Sequence, residues 1–139
     1  MKYAYYAATT LPKPGDVVWC HFPLREIPGS PDPKPRPAIG RRTFLDPRTG
    51  RGSVEVAFGT GKKLKTLYRG EFVVASPGGM RAAGLDLATK FDLARTVRLP
   101  WARQLFAVKP GHGRLVMGAL HPADVMTLKR AAGSLPGPG

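Results

Sequence analysis

Cysteine is almost missing from this chain: Cys20 stands alone among 139 residues. One thiol can form no intrachain disulfide, nor a zinc site built on several thiolates. Acidic residues are scarce as well, nine Asp and Glu in all, and they are scattered. A nuclease working through two metal ions needs clustered carboxylates, so that class is disfavoured. No apolar run approaches the ~20 residues that span a bilayer, and the N-terminus shows no apolar segment flanked as in a signal peptide. A cytoplasmic protein with no membrane contact is the economical expectation. None of the three histidines, His21, His112 and His121, pairs with another at metal-ligand spacing, and no nucleophile motif supports a Ser–His–Asp order. There is no internal repeat.

What the chain has in excess is positive charge. Thirteen arginines and nine lysines give a formal net charge of +13, and such a surface attracts polyanions. The basic residues are spread along the chain and not confined to a tail, which favours nucleic acid over membrane. A hydrophobic content of 42% rules out wholesale disorder, and the length suits one domain. Glycine and proline are abundant but aperiodic, which indicates many turns.

Taken in order, residues 1–14 read as an N-terminal extension, 15–133 as a single domain and 134–139 as a loose tail. Val17 to Phe22 is rich in β-formers and forms a first strand. Leu24 to Pro35 is a long proline-rich loop. A second strand is expected over Arg36 to Phe44, then a turn at Asp46 to Gly50. Ser53 to Thr60 alternates, with Val54, Val56 and Phe58 on one face. Glu71 to Ala75 is a short strand closed by Ser76-Pro77-Gly78-Gly79. Thr89 to Trp101 has period two, with Phe91, Leu93, Val97 and Leu99 on one face and Arg95 the exception among them. A last strand over Arg114 to Gly118 precedes a helix that starts at Pro122 and stops at Gly133. The fold expected is mainly β: a barrel or strongly bent antiparallel sheet with a C-terminal helix.

Lys34 to Thr43 carries the most specific chemistry. Pro35 and Pro37 each fix their own φ and push the preceding residue towards extended geometry. Arg36 is thereby presented from the start of a strand as a candidate phosphate ligand.

Four pieces of the chain resemble the PemK/MazF family of toxin endoribonucleases from bacterial toxin–antitoxin pairs. They are Gly15-Asp16-Val17-Val18 with Phe22-Pro23, Lys34-Pro35-Arg36-Pro37-Ala38-Ile39, Val56-Ala57-Phe58-Gly59-Thr60, and Thr89-Lys90-Phe91-Asp92-Leu93 through Leu99-Pro100 with Gly118-Ala119-Leu120. The resemblance implies an SH3-like barrel, a homodimer, and cleavage of single-stranded RNA without a metal or other cofactor. It also implies a cognate acidic antitoxin and DNA binding together with it. By the same resemblance Arg36 is the catalytic arginine and Thr60 its hydroxyl partner. Gly61 departs from the serine that the family often carries there.

RNA cleavage of this kind takes a proton from the 2′-OH, stabilises charge on the phosphorane and protonates the leaving 5′-oxygen, giving a 2′,3′-cyclic phosphate. A guanidinium matches phosphate oxygens with two parallel hydrogen bonds, but with a pKa above ~12 it is a poor base. The proton acceptor stays open. Trp19, Lys34, Arg41, Lys62, Lys63 and Lys65 are the candidates for holding RNA, the cations through phosphate contacts and Trp19 by stacking. Two other readings stand beside this one. The first is a CcdB-like toxin that binds a protein such as gyrase, against which the Gly/Pro-rich tail without an aromatic end counts. The second is an inactive basic nucleic-acid-binding module.

Overall fold

The computed structural model describes residues 2–21 and 34–136. The expected loop from Leu24 and the end of the first strand at Phe22 lie mostly outside the described residues. Seven strands form one antiparallel sheet: β1 (Asp16–His21), β2 (Pro35–Leu45), β3 (Gly52–Thr60), β4 (Glu71–Val74), β5 (Thr89–Pro100), β6 (Phe106–Ala107) and β7 (Val116–Ala119). Their order is β4-β5-β3-β2-β1-β6, and β7 also pairs with β1. The sheet curls into a half-barrel, with helices α1 (Pro77–Ala83) and α2 (Pro122–Gly133) beside it. The mainly β architecture with a C-terminal helix is the one expected from the alternating strands. Among the described residues no helix is long and apolar enough to cross a membrane.

Alternation along each strand produces two cores, one per face. Val17, Ile39, Ala57, Phe72 and Phe91 join Leu128 and Ala131 of α2 in the first cluster. Val18, Cys20, Ala38, Val54 and Val56 join Leu99, Trp101 and Phe106 in the second. Each buried aliphatic or aromatic side chain contributes about 1.5–3 kcal/mol. The N-terminal segment closes the second face. Tyr5 bridges to Ala102, Tyr6 Oη donates to Phe106 O at 2.7 Å, and Trp101 Nε1 donates to Thr10 Oγ1 at 2.9 Å.

Two elements differ from expectation for identifiable reasons. Ser76-Pro77 does not merely end β4; it starts α1, with Ser76 Oγ accepting from Gly79 N and proline in the first turn. Those are ordinary start signals, but seven residues are too few for a 3.6-residue period to be counted. In β5, the pairing with β3 is regular up to Gly59–Phe91, and it resumes at Ala57–Thr96. The extra residues on β5 form a bulge, which bends a strand and re-aims its side chains. Leu93 therefore packs in the first cluster while Leu99 packs in the second. The single apolar face expected for this strand is split, and Arg95 sits on the bulge.

α2 carries its own boundary signals. His121 Nδ1 accepts from Ala123 N at 3.1 Å, Asp124 lies in the first turn and Arg130 in the last, as the helix dipole favours. α1 crosses β7 so closely that a Cβ on Gly118 would meet Ala82 O, with Ala83 C at 2.7 Å and Gly84 N at 2.9 Å. All three are backbone atoms that cannot rotate aside. Gly118→Ala is expected to destabilise the fold by about 3 kcal/mol, read as a lower urea midpoint; an unchanged midpoint would contradict the packing described.

Candidate nucleic-acid site

The site forms where β2, β3 and β5 run side by side at one end of the sheet. β1 and β2 pair with Cys20 opposite Arg36 and Trp19 opposite Pro37. β2 and β3 pair as far as Ala38 opposite Phe58, and Arg36 and Thr60, two residues beyond that pair on each strand, line the same groove. β3 and β5 pair with Thr60 opposite Lys90 and Gly59 opposite Phe91. A Cβ on Gly59 would lie 2.8 Å from Phe91 Cε1 and 3.1 Å from Pro37 O. Glycine there lets the three strands close up.

Arg36, Thr60, Lys34, Lys62 and Lys63 line one groove of about 650 Å³, a size typical of ligand sites. Five of the eight residues singled out from the sequence are therefore neighbours. Lys90 and Arg95 add two more cations, against the carboxylates of Glu71 and Asp92. Among the described residues, no carboxylate lies within ion-pair distance of Arg36, Lys34, Lys62 or Lys63. The groove keeps a positive surplus that a polyanion would neutralise.

Individual contacts give the lining groups different capacities. Thr60 Oγ1 accepts from Lys62 N at 3.2 Å, which leaves its own hydrogen to donate. Lys90 Nζ, on a side chain 7% exposed, is 3.5 Å from Glu71 Oε2 and donates to Lys63 O at 2.9 Å and Thr66 O at 3.1 Å. Glu71 Oε1 accepts from Tyr68 N at 2.6 Å. Asp92 Oδ1 accepts from Ala94 N at 2.9 Å, and Oδ2 faces Arg95 Nε at 3.9 Å. Phe58 lines the groove and packs against the second core. Among the described residues no three His, Cys, Asp or Glu side chains are grouped to hold a metal ion.

Trp19, Arg41 and Lys65 do not line the groove. Trp19 alternates to the face opposite Arg36, packs half-buried against the first core, and has Lys109 Nζ 5.3 Å above its ring. Lys109 in turn holds Asp86 at 2.6 Å; that contact keeps the Asp86 carboxyl below its ordinary value, through the hydrogen bond first and the charge second. Arg41 lies at a register shift between β2 and β3, and Lys65 is exposed on the segment after β3. Cys20 is fully buried, and desolvation pushes its thiol up to about 12, which makes it an inert core residue.

Sequence reasoning missed Lys90, Glu71, Asp92 and Arg95 as groove residues. Arg95 had a visible signal, a cation on an apolar face. Lys90 and Glu71 had none, because their pairing crosses between strands. Compared with models of known families and with curated proteins, the chain matches none, so what the groove does has to be read from its own chemistry.

Proposed function

We propose that this protein is an endoribonuclease that cleaves single-stranded RNA by attack of the 2′-OH on the adjacent phosphate, of the PemK/MazF toxin type. The observation that carries the reading is the meeting of Arg36, Thr60, Lys34, Lys62 and Lys63 in one cationic groove. Arg36 would hold two phosphate oxygens and offset the charge that develops on the phosphorane. Thr60 would donate its free hydroxyl hydrogen to a phosphate oxygen. Lys34, Lys62 and Lys63 would grip neighbouring phosphates.

The 2′-OH proton needs an acceptor within hydrogen-bond reach. Of the two groove carboxylates, Glu71 is engaged by Lys90 and by the Tyr68 amide. Among the described residues Asp92 Oδ2 accepts no hydrogen bond and has only the 3.9 Å ion-pair approach of Arg95 Nε, and we assign it the role of base. Charge complementarity with the same groove supports an acidic antitoxin segment as its competitor for RNA, and a homodimer belongs to the same reading.

The test is to incubate the protein with a single-stranded RNA of mixed sequence in the presence of EDTA and to analyse the ends. Products with a 2′,3′-cyclic phosphate and a 5′-OH are expected. The same sequence made as DNA should stay intact, since it lacks the nucleophile. No cleavage of any RNA would defeat the proposal.

A further inference from the structure

Among the described residues Lys90 is the most deeply buried cation, 6% exposed, and of the other basic residues described only Lys109 is also buried. A buried ammonium needs hydrogen-bond partners to offset its lost hydration. Lys90 takes them from the segment between β3 and β4, bonding Lys63 O and Thr66 O, with Glu71 as counter-ion. The segment is otherwise held at its ends, by Lys62 N on Thr60 Oγ1 and Tyr68 N on Glu71 Oε1, and by one turn bond from Thr66 N to Lys63 O; its side chains bury little. From Gly61 to Arg69 every side chain is exposed except the half-buried Leu64. Lys63 moreover adopts φ 54°, a left-handed conformation that a lysine adopts rarely and keeps only when its surroundings impose it.

We infer that Lys90 is a positioning residue, an internal clamp that fixes the 61–70 segment so that Lys62 and Lys63 point their charges into the groove. The inference rests on the reading of that groove as an RNA site. Lys90 itself, with its ammonium spent on two carbonyls and a carboxylate, acts on RNA through those two lysines. The bond from Lys62 N to Thr60 Oγ1 extends the clamp to the hydroxyl that shares the groove with Arg36. Held lysines lose less conformational freedom on binding than free ones.

The experiment compares four proteins by binding to a fluorescent single-stranded RNA of mixed sequence: wild type, Glu71→Gln with Lys90→Met, Lys62→Ala with Lys63→Ala, and all four changes together. Replacing both members of the ion pair leaves the net charge unchanged and no buried charge unpaired. Loss of the clamp is expected to weaken binding about tenfold and to lower the salt slope by up to about 1.4, about 0.7 for each lysine that no longer neutralises a phosphate. Adding the two alanines to the clampless protein should then change little, because the lysines already fail to engage. Losses that simply add would mean that Lys90 does not act through these lysines, and would overturn the inference while leaving the groove reading intact. Absence of RNA binding by the wild type would overturn both.

Hydrogen exchange of the unmodified protein tests the clamp without RNA and without substitution. The Lys62 and Thr66 amides should exchange well below their unprotected rates, which is the behaviour of a held segment. Exchange at the unprotected rate would overturn the clamp even if the variants fail to fold.

Discussion

Replacing Arg36 by alanine is expected to slow single-turnover RNA cleavage by about 10²–10³, equivalent to about 2.7–4 kcal/mol of transition-state stabilisation. The size of the effect follows from where the guanidinium sits. It is exposed at the start of β2 and lines the groove together with Thr60. Removing it unpairs no buried partner, so the fold should be unaffected and the thermal midpoint should move by less than about 2 °C. Arg36→Lys should recover only part of the rate, because an ammonium keeps the charge and loses the two parallel hydrogen bonds. The checks are the cleavage rate at saturating protein and a melting curve on the same samples. Cleavage by the alanine variant at the wild-type rate would remove Arg36 from the chemistry.

Trp101→Ala should have the largest effect on stability, a loss of about 3–5 kcal/mol. Trp101 is fully buried, with its ring 4.8 Å from Phe106 and 5.5 Å from Tyr6, centre to centre. Its indole N–H reaches Thr10 Oγ1, and its backbone bonds both to Tyr6 N and to Gly52 O. The side chain is therefore the point at which the N-terminal segment, the end of β5 and β6 converge. Truncating it opens a cavity in the second core and releases residues 5–10 from their main anchor. Trp101→Phe loses the hydrogen bond and part of the buried ring, and should cost about 2 kcal/mol. Urea unfolding followed by circular dichroism measures both. A loss below about 1 kcal/mol for the alanine variant would show that the N-terminal segment is not part of the core.

Legibility from sequence differed sharply between neighbouring features of the same fold. The strand from Asp16 was readable from its run of β-formers, the one from Gly52 from alternation, a relation between residues two apart, and the one from Pro35 from the proline-rich loop and the turn that bound it. The terminal helix was readable from Pro122 and Gly133, although the structure ends it one residue later, with Ser134 as the cap. α1 escaped because two glycines follow its proline and the helix is too short to show a period. β6, two residues long, has no local signature at all; it exists only because Trp19 and Cys20 of β1 lie beside it.

The candidate site divides in the same way. Arg36 drew notice through its flanking prolines, and Thr60 through the resemblance of the Val56–Thr60 stretch to a family strand that ends in a hydroxyl residue. Both are properties of adjacent residues. Lys62 and Lys63 appeared as a charge run, indistinguishable in sequence from Lys65 beside them, yet only the first two reach the groove. Trp19 looked as available for stacking as any strand aromatic, but its face of the sheet is the one covered by Lys109 and the first core.

The class of this protein is legible in its residues: a β-rich, strongly cationic chain with a capped terminal helix and an arginine held extended between two prolines. Those features depend on backbone preferences, side-chain period and total charge, all of which are local or additive. Which strand faces which, where the β5 bulge turns Arg95 outward, and the burial of Lys90 beneath the basic segment it holds came only with the folded arrangement. Those outcomes depend on register between strands far apart in the chain, where a shift of one residue exchanges the two faces of the sheet.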